Sequence, residues 1–246
     1  MKITYLFLTL LFGNFIAESS FMTEQKKFNR VKAAIIEKQN IVESKLQEHN
    51  LSIDDFNLLF VAYKDCSELE VYAKKTSETT YKKIDTYKIK ARSGKLGPKR
   101  MEGDFQTPEG FYYINTYNPN SQYHLSMGIN YPNQSDRIKS NAPKLGGDIY
   151  IHGSHMTVGC LPMTDDKIKE LYLYAIHAKN DGQDRIPVYI FPYKMNDVFF
   201  ELYKKKYASS PELVDFWTNL KTGYDKFMTE KQELSYNIDA NGNYNF

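Results

Sequence analysis

The sequence predicts an α+β fold, β-rich at its centre and helical at its flanks, and three observations predict it. Apolar residues recur at a spacing near two across residues 56–111. Before and after that region, over residues 23–50 and again beyond residue 196, they recur at helical spacing. No internal repeat or low-complexity linker interrupts the chain, so these regions read as one unit with helical flanks.

Taken in order, the first helix expected spans residues 23–50, with Phe28, Val31, Ile35, Val42 and Leu46 near one face. Thr23 is placed to cap its start, and Glu24 to favour the dipole in its first turn. Leu58 to Tyr63 is a strand candidate, residues 64–67 a turn, and Leu69 to Ala73 the returning strand. Residues 81–91 alternate again and end in a loop over 93–98. Residues 111–114 and 122–129 continue the β-rich part, and 148–152 is a short apolar strand stopped by a glycine. Thr164 then caps a helix whose stripe is Ile168, Leu171, Tyr172, Ala175 and Ile176, with Gly182 just past its end. Residues 186–191 form one more strand, its Pro187 suited to an edge position. Two helices follow, near 196–206 and 211–232, and Asn241-Gly242 marks a hairpin turn within 236–246.

Composition narrows the function. The 246 residues carry 20 Tyr, 15 Phe and one Trp, enough apolar area for a core, which excludes intrinsic disorder. A net charge of +2, from 32 basic against 30 acidic residues, gives no field for nucleic acid. Two cysteines exclude a disulfide scaffold or a cysteine-rich zinc module.

The amino terminus has the form of an export signal. Lys2 is the only charge before Glu18, and residues 3–12 are almost wholly apolar, about half the length of a membrane span. Small residues at 17 and 19 fit cleavage after Ser19, with Ala17 the alternative. No cysteine follows the run, so a lipid attachment site is missing. The expectation is a mature protein in the periplasm or outside the cell, with no stable membrane span after cleavage. The rival reading is a buried amino-terminal helix.

Chemistry concentrates in residues 151–163, where a strand delivers His152, a polar loop carries Ser154, His155 and Thr157, and Gly159-Cys160 comes just ahead of a helix. A thiol nucleophile needs a base to remove its proton, and a helix amino terminus favours the thiolate. Gly159 lets the backbone turn, so amides at Gly159 and Cys160 could face an oxyanion. From spacing alone this reading stands level with a disulfide between Cys160 and Cys66. Metal binding by His152, His155 and Cys160 is a minor alternative, because a fourth donor is lacking. His124 and His177 read as scaffold residues, and His49 as the cation closing the first helix.

These residues carry a resemblance. His152-Gly153 ahead of Gly159-Cys160, then an apolar residue, Pro162 and Met163, is similar to the L,D-transpeptidase catalytic domain of YkuD type. Ser93-Gly94-Lys95-Leu96-Gly97-Pro98-Lys99, Glu102-Gly103-Asp104, Thr107-Pro108-Glu109-Gly110-Phe111-Tyr112, and Asn130-Tyr131-Pro132-Asn133 with Asp136-Arg137 resemble its murein YafK-like branch. The likeness runs from about residue 56 to 191. Two features depart from the wider family: only eight positions separate His152 from Cys160, and Pro162 stands where an arginine is usual. The YafK-like branch shares the short loop and tolerates the change at Pro162, so the nucleophile assignment survives, but substrate recognition does not carry over from the larger family.

The resemblance implies a β-sandwich-like catalytic domain over residues 56–192. Residues 1–19 would be the signal, 20–55 an amino-terminal helical segment and 193–246 a carboxy-terminal helical extension. It implies Cys160 as nucleophile and His152 as proton donor and acceptor, with no cofactor and no metal. Gly153 would orient a ring through its carbonyl, Gly159 would serve the oxyanion hole, and Thr157 and Ser154 would support the loop. With the family in view the disulfide recedes, and Cys66 reads as incidental in its turn. The partners implied are peptidoglycan stem peptides and, for some members, a wall-attached protein. Lys99, Arg100, Arg137 and Tyr131 are candidates for stem carboxylates, none singled out. An amine acceptor would make the protein a transpeptidase. Water would make it a carboxypeptidase or a protein-releasing amidase of the same mechanism, and an inactive wall-binding module is the reading from another class.

Overall fold

The structure is a computed structural model that describes residues 20–246; the export segment lies outside the described residues. The first helical region divides in two. Helix α1 (Phe21–Gln25) is capped by Ser20, whose hydroxyl accepts from the Thr23 amide, so Ser20 takes the role expected of Thr23. Helix α2 (Asn29–Glu48) begins after a break and buries Val31, Ala34, Val42 and Leu46.

The strands follow as β1 (Asn57–Tyr63), β2 (Glu68–Lys74), β3 (Lys82–Lys88), β4 (Gly110–Asn118) and β5 (Ser126–Ile129). A six-residue helix α3 (Gln134–Lys139), closed by a capping box between Asn133 and Asp136, was not foreseen. Then come β6 (Tyr150–His152), β7 (Leu161–Pro162), α4 (Thr164–Asn180) and β8 (Pro187–Phe191). Helices α5 (Asp197–Lys206) and α6 (Pro211–Glu230) and a hairpin of β9 (Asn237–Ile238) with β10 (Tyr244–Asn245) complete the chain.

Eight strands form one mixed sheet in the order β3-β2-β1-β8-β4-β5-β6-β7. Strand β8 therefore sits inside the sheet, parallel to β1 and antiparallel to β4, and not at the edge expected for a strand carrying Pro187. Proline is tolerated there because it opens the strand, where no full ladder is demanded of it.

Both faces of the sheet are covered, unequally. Even-numbered residues of β1 (Leu58, Phe60, Ala62) join the cluster containing α2 and α4 residues; odd-numbered ones (Leu59, Val61, Tyr63) join the cluster with Trp217, Leu220 and Phe227 of α6. This explains why β1 and β2 are buried along nearly their whole length, whereas the edge strand β3 buries only Ile84 and Tyr87. Strand β4 joins the two halves of the sheet. Gly110 to Tyr113 pair with β8 and residues from Ile114 onward with β5, across a register shift between Ile114 and Thr116. Beyond that shift Met127, Ile151 and Leu161 still pack into the α4-side core. The opposite face of β5, β6 and β7 lies past the reach of α6, and there the sheet opens into a cleft.

Candidate active site

Register sets the two candidate reacting groups along one cleft. Strands β6 and β7 pair in parallel, Ile151 opposite Leu161 and His152 opposite Pro162, so Cys160 arrives beside Tyr150, one side-chain repeat along the same face from His152. The Tyr150 amide donates to Cys160 Sγ at 3.4 Å, and the thiol lies 3.4 Å from the Asp148 carbonyl as its acceptor. His152 and Cys160 both line a cleft of about 720 Å³ whose wall includes Asn118, Ser126, Tyr123 and Met156.

His152 is buried, at 1% exposure. Its Nδ1 lies 2.5 Å from the Gly153 carbonyl, and the Tyr123 ring stands over it with centroids 4.7 Å apart. A neutral imidazole donating from Nδ1 to that carbonyl keeps its lone pair on Nε2. Burial pushes the His152 pKa below the ordinary histidine value, with the Gly153 carbonyl opposing. Burial likewise pushes the Cys160 thiol up; the Tyr150 amide works against this, Asp148 adds to it, and Lys99 opposes it. The resting pair is thus a neutral thiol and a neutral imidazole.

The turn after His152 is tightly built. A Cβ on Gly153 would lie 2.6 Å from Asp165 Oδ1 and 2.6 Å from the Tyr123 carbonyl. Ser154 adopts a left-handed conformation, φ 61°, and its amide donates to Asp165 Oδ1 at 2.7 Å. The first turn of α4 thus engages Ser154, and strand β7 stands between Cys160 and that helix. The first amide of that helix, on Thr164, donates to the Ser154 carbonyl at 3.0 Å. His155 is exposed. Met156 and Val158 present apolar side chains, 66% and 62% exposed.

The Gly159-Cys160 turn is held from two sides. Thr157 Oγ1 donates to the Cys160 carbonyl at 2.7 Å. Gly159 is left-handed, φ 106°, and a Cβ there would meet the Gln106 carbonyl at 2.8 Å. Its amide donates to Ser93 Oγ at 2.7 Å, so it is not directed at the cleft in the way expected of an oxyanion donor.

Ser93 reaches this position from a loop anchored deep in the protein. Lys64, 6% exposed, donates to the Gly97 and Thr107 carbonyls and to Glu109 Oε1 at 2.9 Å. Glu109, fully buried, also accepts from the Gly97 amide and from Trp217 Nε1, both at 2.8 Å. The loop is thereby fixed to β1 and α6 and presented beneath the nucleophile. Its sequence motif was visible; nothing in it said that Ser93 would hold Gly159, or that Tyr123 would stand over His152.

Other expected residues are placed elsewhere. Lys99 pairs with Asp104 and Arg100 with Asp136, each at 2.8 Å, and Tyr131 is buried. These three support the scaffold, and Arg137 is exposed on α3. Cys66 and Cys160 are both free, and burial pushes the Cys66 thiol up to about 12. Among the described residues no cluster of three or more His, Cys, Asp or Glu could hold a metal.

Comparison with known proteins agrees with the geometry. The family model described as "L,D-transpeptidase catalytic domain" matches residues 57–190. The chain is 35% identical over 184 residues to "Putative L,D-transpeptidase YafK" of Escherichia coli strain K12, covering 74% of this chain and 70% of that protein; the O157:H7 protein matches equally. Among solved structures, the helical cell shape determining protein Pgp2 of Campylobacter jejuni aligns with TM-score 0.44 and 18% identity, over 81% of this chain and 80% of that one. Bd1075 of Bdellovibrio bacteriovorus aligns with TM-score 0.40 and 24% identity, over 56% and 48%.

Proposed function

The chain belongs to the L,D-transpeptidase catalytic domain family, and from that premise we propose that it is an exported cysteine acyltransferase acting on L,D peptide bonds of peptidoglycan stems through a thioester on Cys160. One observation carries the reading: the pairing of β6 with β7 sets Cys160, the residue just before β7, beside the strand that carries His152, and both line one open cleft.

In the first step His152 Nε2 takes the proton of the Cys160 thiol as sulfur attacks the stem carbonyl. The Gly153 carbonyl, held to Nδ1, stabilises the imidazolium that forms. The Cys160 amide is the backbone donor for the developing oxyanion, because the Gly159 amide is engaged by Ser93. Collapse of the intermediate breaks the carbon–nitrogen bond, and the amine leaves with the proton from His152. A thioester remains. An acceptor amine then regenerates the thiol and makes a new amide, the transpeptidase outcome, while water at the same step gives the carboxypeptidase or protein-releasing alternative.

Export is proposed from the amino-terminal segment. No helix among the described residues is long and apolar enough to cross a membrane.

Intact-mass spectrometry of the mature protein with a muropeptide tetrapeptide, wild type beside Cys160→Ala, tests the reading. An acyl adduct on the wild type alone supports it, and the products with and without added amine separate transfer from hydrolysis. Binding of the wall fragment by both proteins with no adduct and no product would overturn it in favour of a binding module.

A further inference from the structure

The open face of the sheet does not end at the catalytic cleft. Asn118, Ser126 and His152 form one cross-strand row, and Thr116, Gly128 and Tyr150 the next. Gly128 has no room for a side chain in this strip, since a Cβ there would lie 3.0 Å from the Tyr150 ring, 3.1 Å from Thr116 Cβ and 3.3 Å from Asn115 Oδ1, so Tyr150, Thr116 and Asn115 form its surface. At the next row the Asn130 side chain accepts from the Tyr113 amide at 2.8 Å, and there the strip meets a second cleft of about 700 Å³. Asn118 in the catalytic cleft lies five steps along β4 from Tyr113 in this one, a distance of about 16 Å at strand rise.

The second cleft has its own chemistry. Asn115, Asn130, Gln134 and Tyr113 line it together with two arginines, Arg137 and Arg185, and its wall contains no acidic residue. Neither guanidinium makes a hydrogen bond or ion pair among the described residues, whereas Arg100 is paired with Asp136, and Arg30 and Arg92 are engaged by backbone carbonyls. Arg185 stacks on the Tyr113 ring at 4.9 Å, which orders its planar fork while leaving all its donors available. Asp184 beside Arg185 is exposed and paired with Lys179, outside the cleft wall, so two guanidiniums without a hydrogen-bonded partner face a polar cleft and favour an anionic oxygen ligand.

We propose that this cleft is an anion subsite, in which Arg137 and Arg185 hold a carboxylate on the remote part of a wall substrate whose reacting carbonyl lies at Cys160. The proposal rests on the acyl-transfer reading for the identity of that substrate. Cys160 sits at the Tyr150 end of the Thr116–Gly128–Tyr150 row, so Tyr113 lies three strands across from it, about 14 Å, and one row further along. A chain of four extended residues spans about 14 Å, so one stem placed at Cys160 stops short of the second cleft. A cross-linked pair of stems would fill both. The subsite therefore selects larger, cross-linked wall fragments over single stems.

Isothermal titration calorimetry on the full mature chain carrying Cys160→Ala tests this without turnover, with a cross-linked muropeptide dimer and a free tetrapeptide as probes. Adding Arg137→Ala and Arg185→Ala together should raise the dimer Kd about tenfold or more, as expected for lost charge-assisted bonds, and leave the tetrapeptide Kd within about twofold. A dimer with its free carboxylates amidated should bind the unaltered cleft as weakly as the intact dimer binds the double variant. Arg185→Lys, which keeps the charge but loses the stacked planar fork, should give a dimer Kd between those of the unaltered cleft and the double variant, with an unchanged thermal midpoint. Equal dimer affinity with and without the arginines would overturn the subsite, as would failure of the dimer to bind at all. Absence of an acyl adduct on the wild type would instead overturn the transfer reading and leave the calorimetric result standing.

Discussion

The Ser93 hydroxyl accepts the amide proton of Gly159 at 2.7 Å, linking the loop over residues 93–109 to the residue just before the nucleophile. Gly159 is buried, so removing that acceptor strands an N–H away from water. Such a loss destabilises by about 1–3 kcal/mol, and the turn carrying the Cys160 amide has less to hold it. Ser93→Ala should slow formation of the acyl-enzyme about tenfold while the protein stays folded, and Ser93→Thr should restore most of the rate. Time-resolved intact mass reads this directly, and an unchanged rate in Ser93→Ala would remove Ser93 from any positioning role.

The protonation states give a second prediction. Burial raises the Cys160 pKa above its ordinary 9.0 and lowers that of His152 below its ordinary 6.5, so the free enzyme is not a thiolate–imidazolium pair. Alkylation of Cys160 by iodoacetamide should therefore rise with a midpoint above pH 9.0. Acylation by substrate should instead depend on neutral imidazole, with its acid limb falling below pH 6.5. A plateau of alkylation already reached at pH 7 would show a preformed ion pair and contradict the neutral resting state. Stability has a matching sign: His152 binds fewer protons folded than unfolded below pH 6.5, so its contribution is lost as pH falls through that range.

Two glycines are predicted to be irreplaceable for different reasons. At Gly153 the obstacle is space, since a methyl group would press on Asp165 and on the Tyr123 backbone, displacing the carbonyl that holds His152. At Gly159 it is both space and a φ of 106°, against the Gln106 backbone, which cannot swing aside like a flexible side chain. Gly153→Ala and Gly159→Ala should each reduce acyl-enzyme formation by at least about 100-fold, with Gly159→Ala also destabilising by about 1–3 kcal/mol. Chemical denaturation alongside the mass assay separates the two effects, and full activity of either variant would refute the packing argument.

How much of this was legible depends on where the information lies along the chain. Strands β1 and β2 and their turn are local, and their apolar runs located them within a residue or two. The same holds for α4, α6 and the Asn241-Gly242 hairpin. The seat of Pro187 was not legible, because whether β8 is an edge or an interior strand is decided by partners more than 70 residues away in β4 and 120 in β1. Helix α3 was missed because its six residues carry no stripe, only the Asn133–Asp136 cap. His152 and Cys160 could be named from residue types and spacing, but their supports could not. Ser93 lies 66 residues from Gly159, and Tyr123 meets His152 only through the pairing of β5 with β6.

The buried pair Lys64–Glu109 carries the last prediction, because it anchors the Ser93 loop from a distance. Lys64 is pushed down by burial and held charged chiefly by Glu109, while Glu109 takes two further donors from Gly97 and Trp217. Removing only the cation leaves a carboxylate buried with its charge uncompensated, a loss of about 3–5 kcal/mol. Lys64→Met should therefore destabilise the chain by that amount and slow acylation by releasing the loop. Adding Glu109→Gln keeps an acceptor for Trp217 or Gly97 without the orphaned charge, so the double variant should recover part of the stability lost in Lys64→Met. Additive losses in this double-mutant cycle would show the two residues to be energetically independent, and the anchor would then have to lie in the Thr107 and Gly97 carbonyl contacts alone.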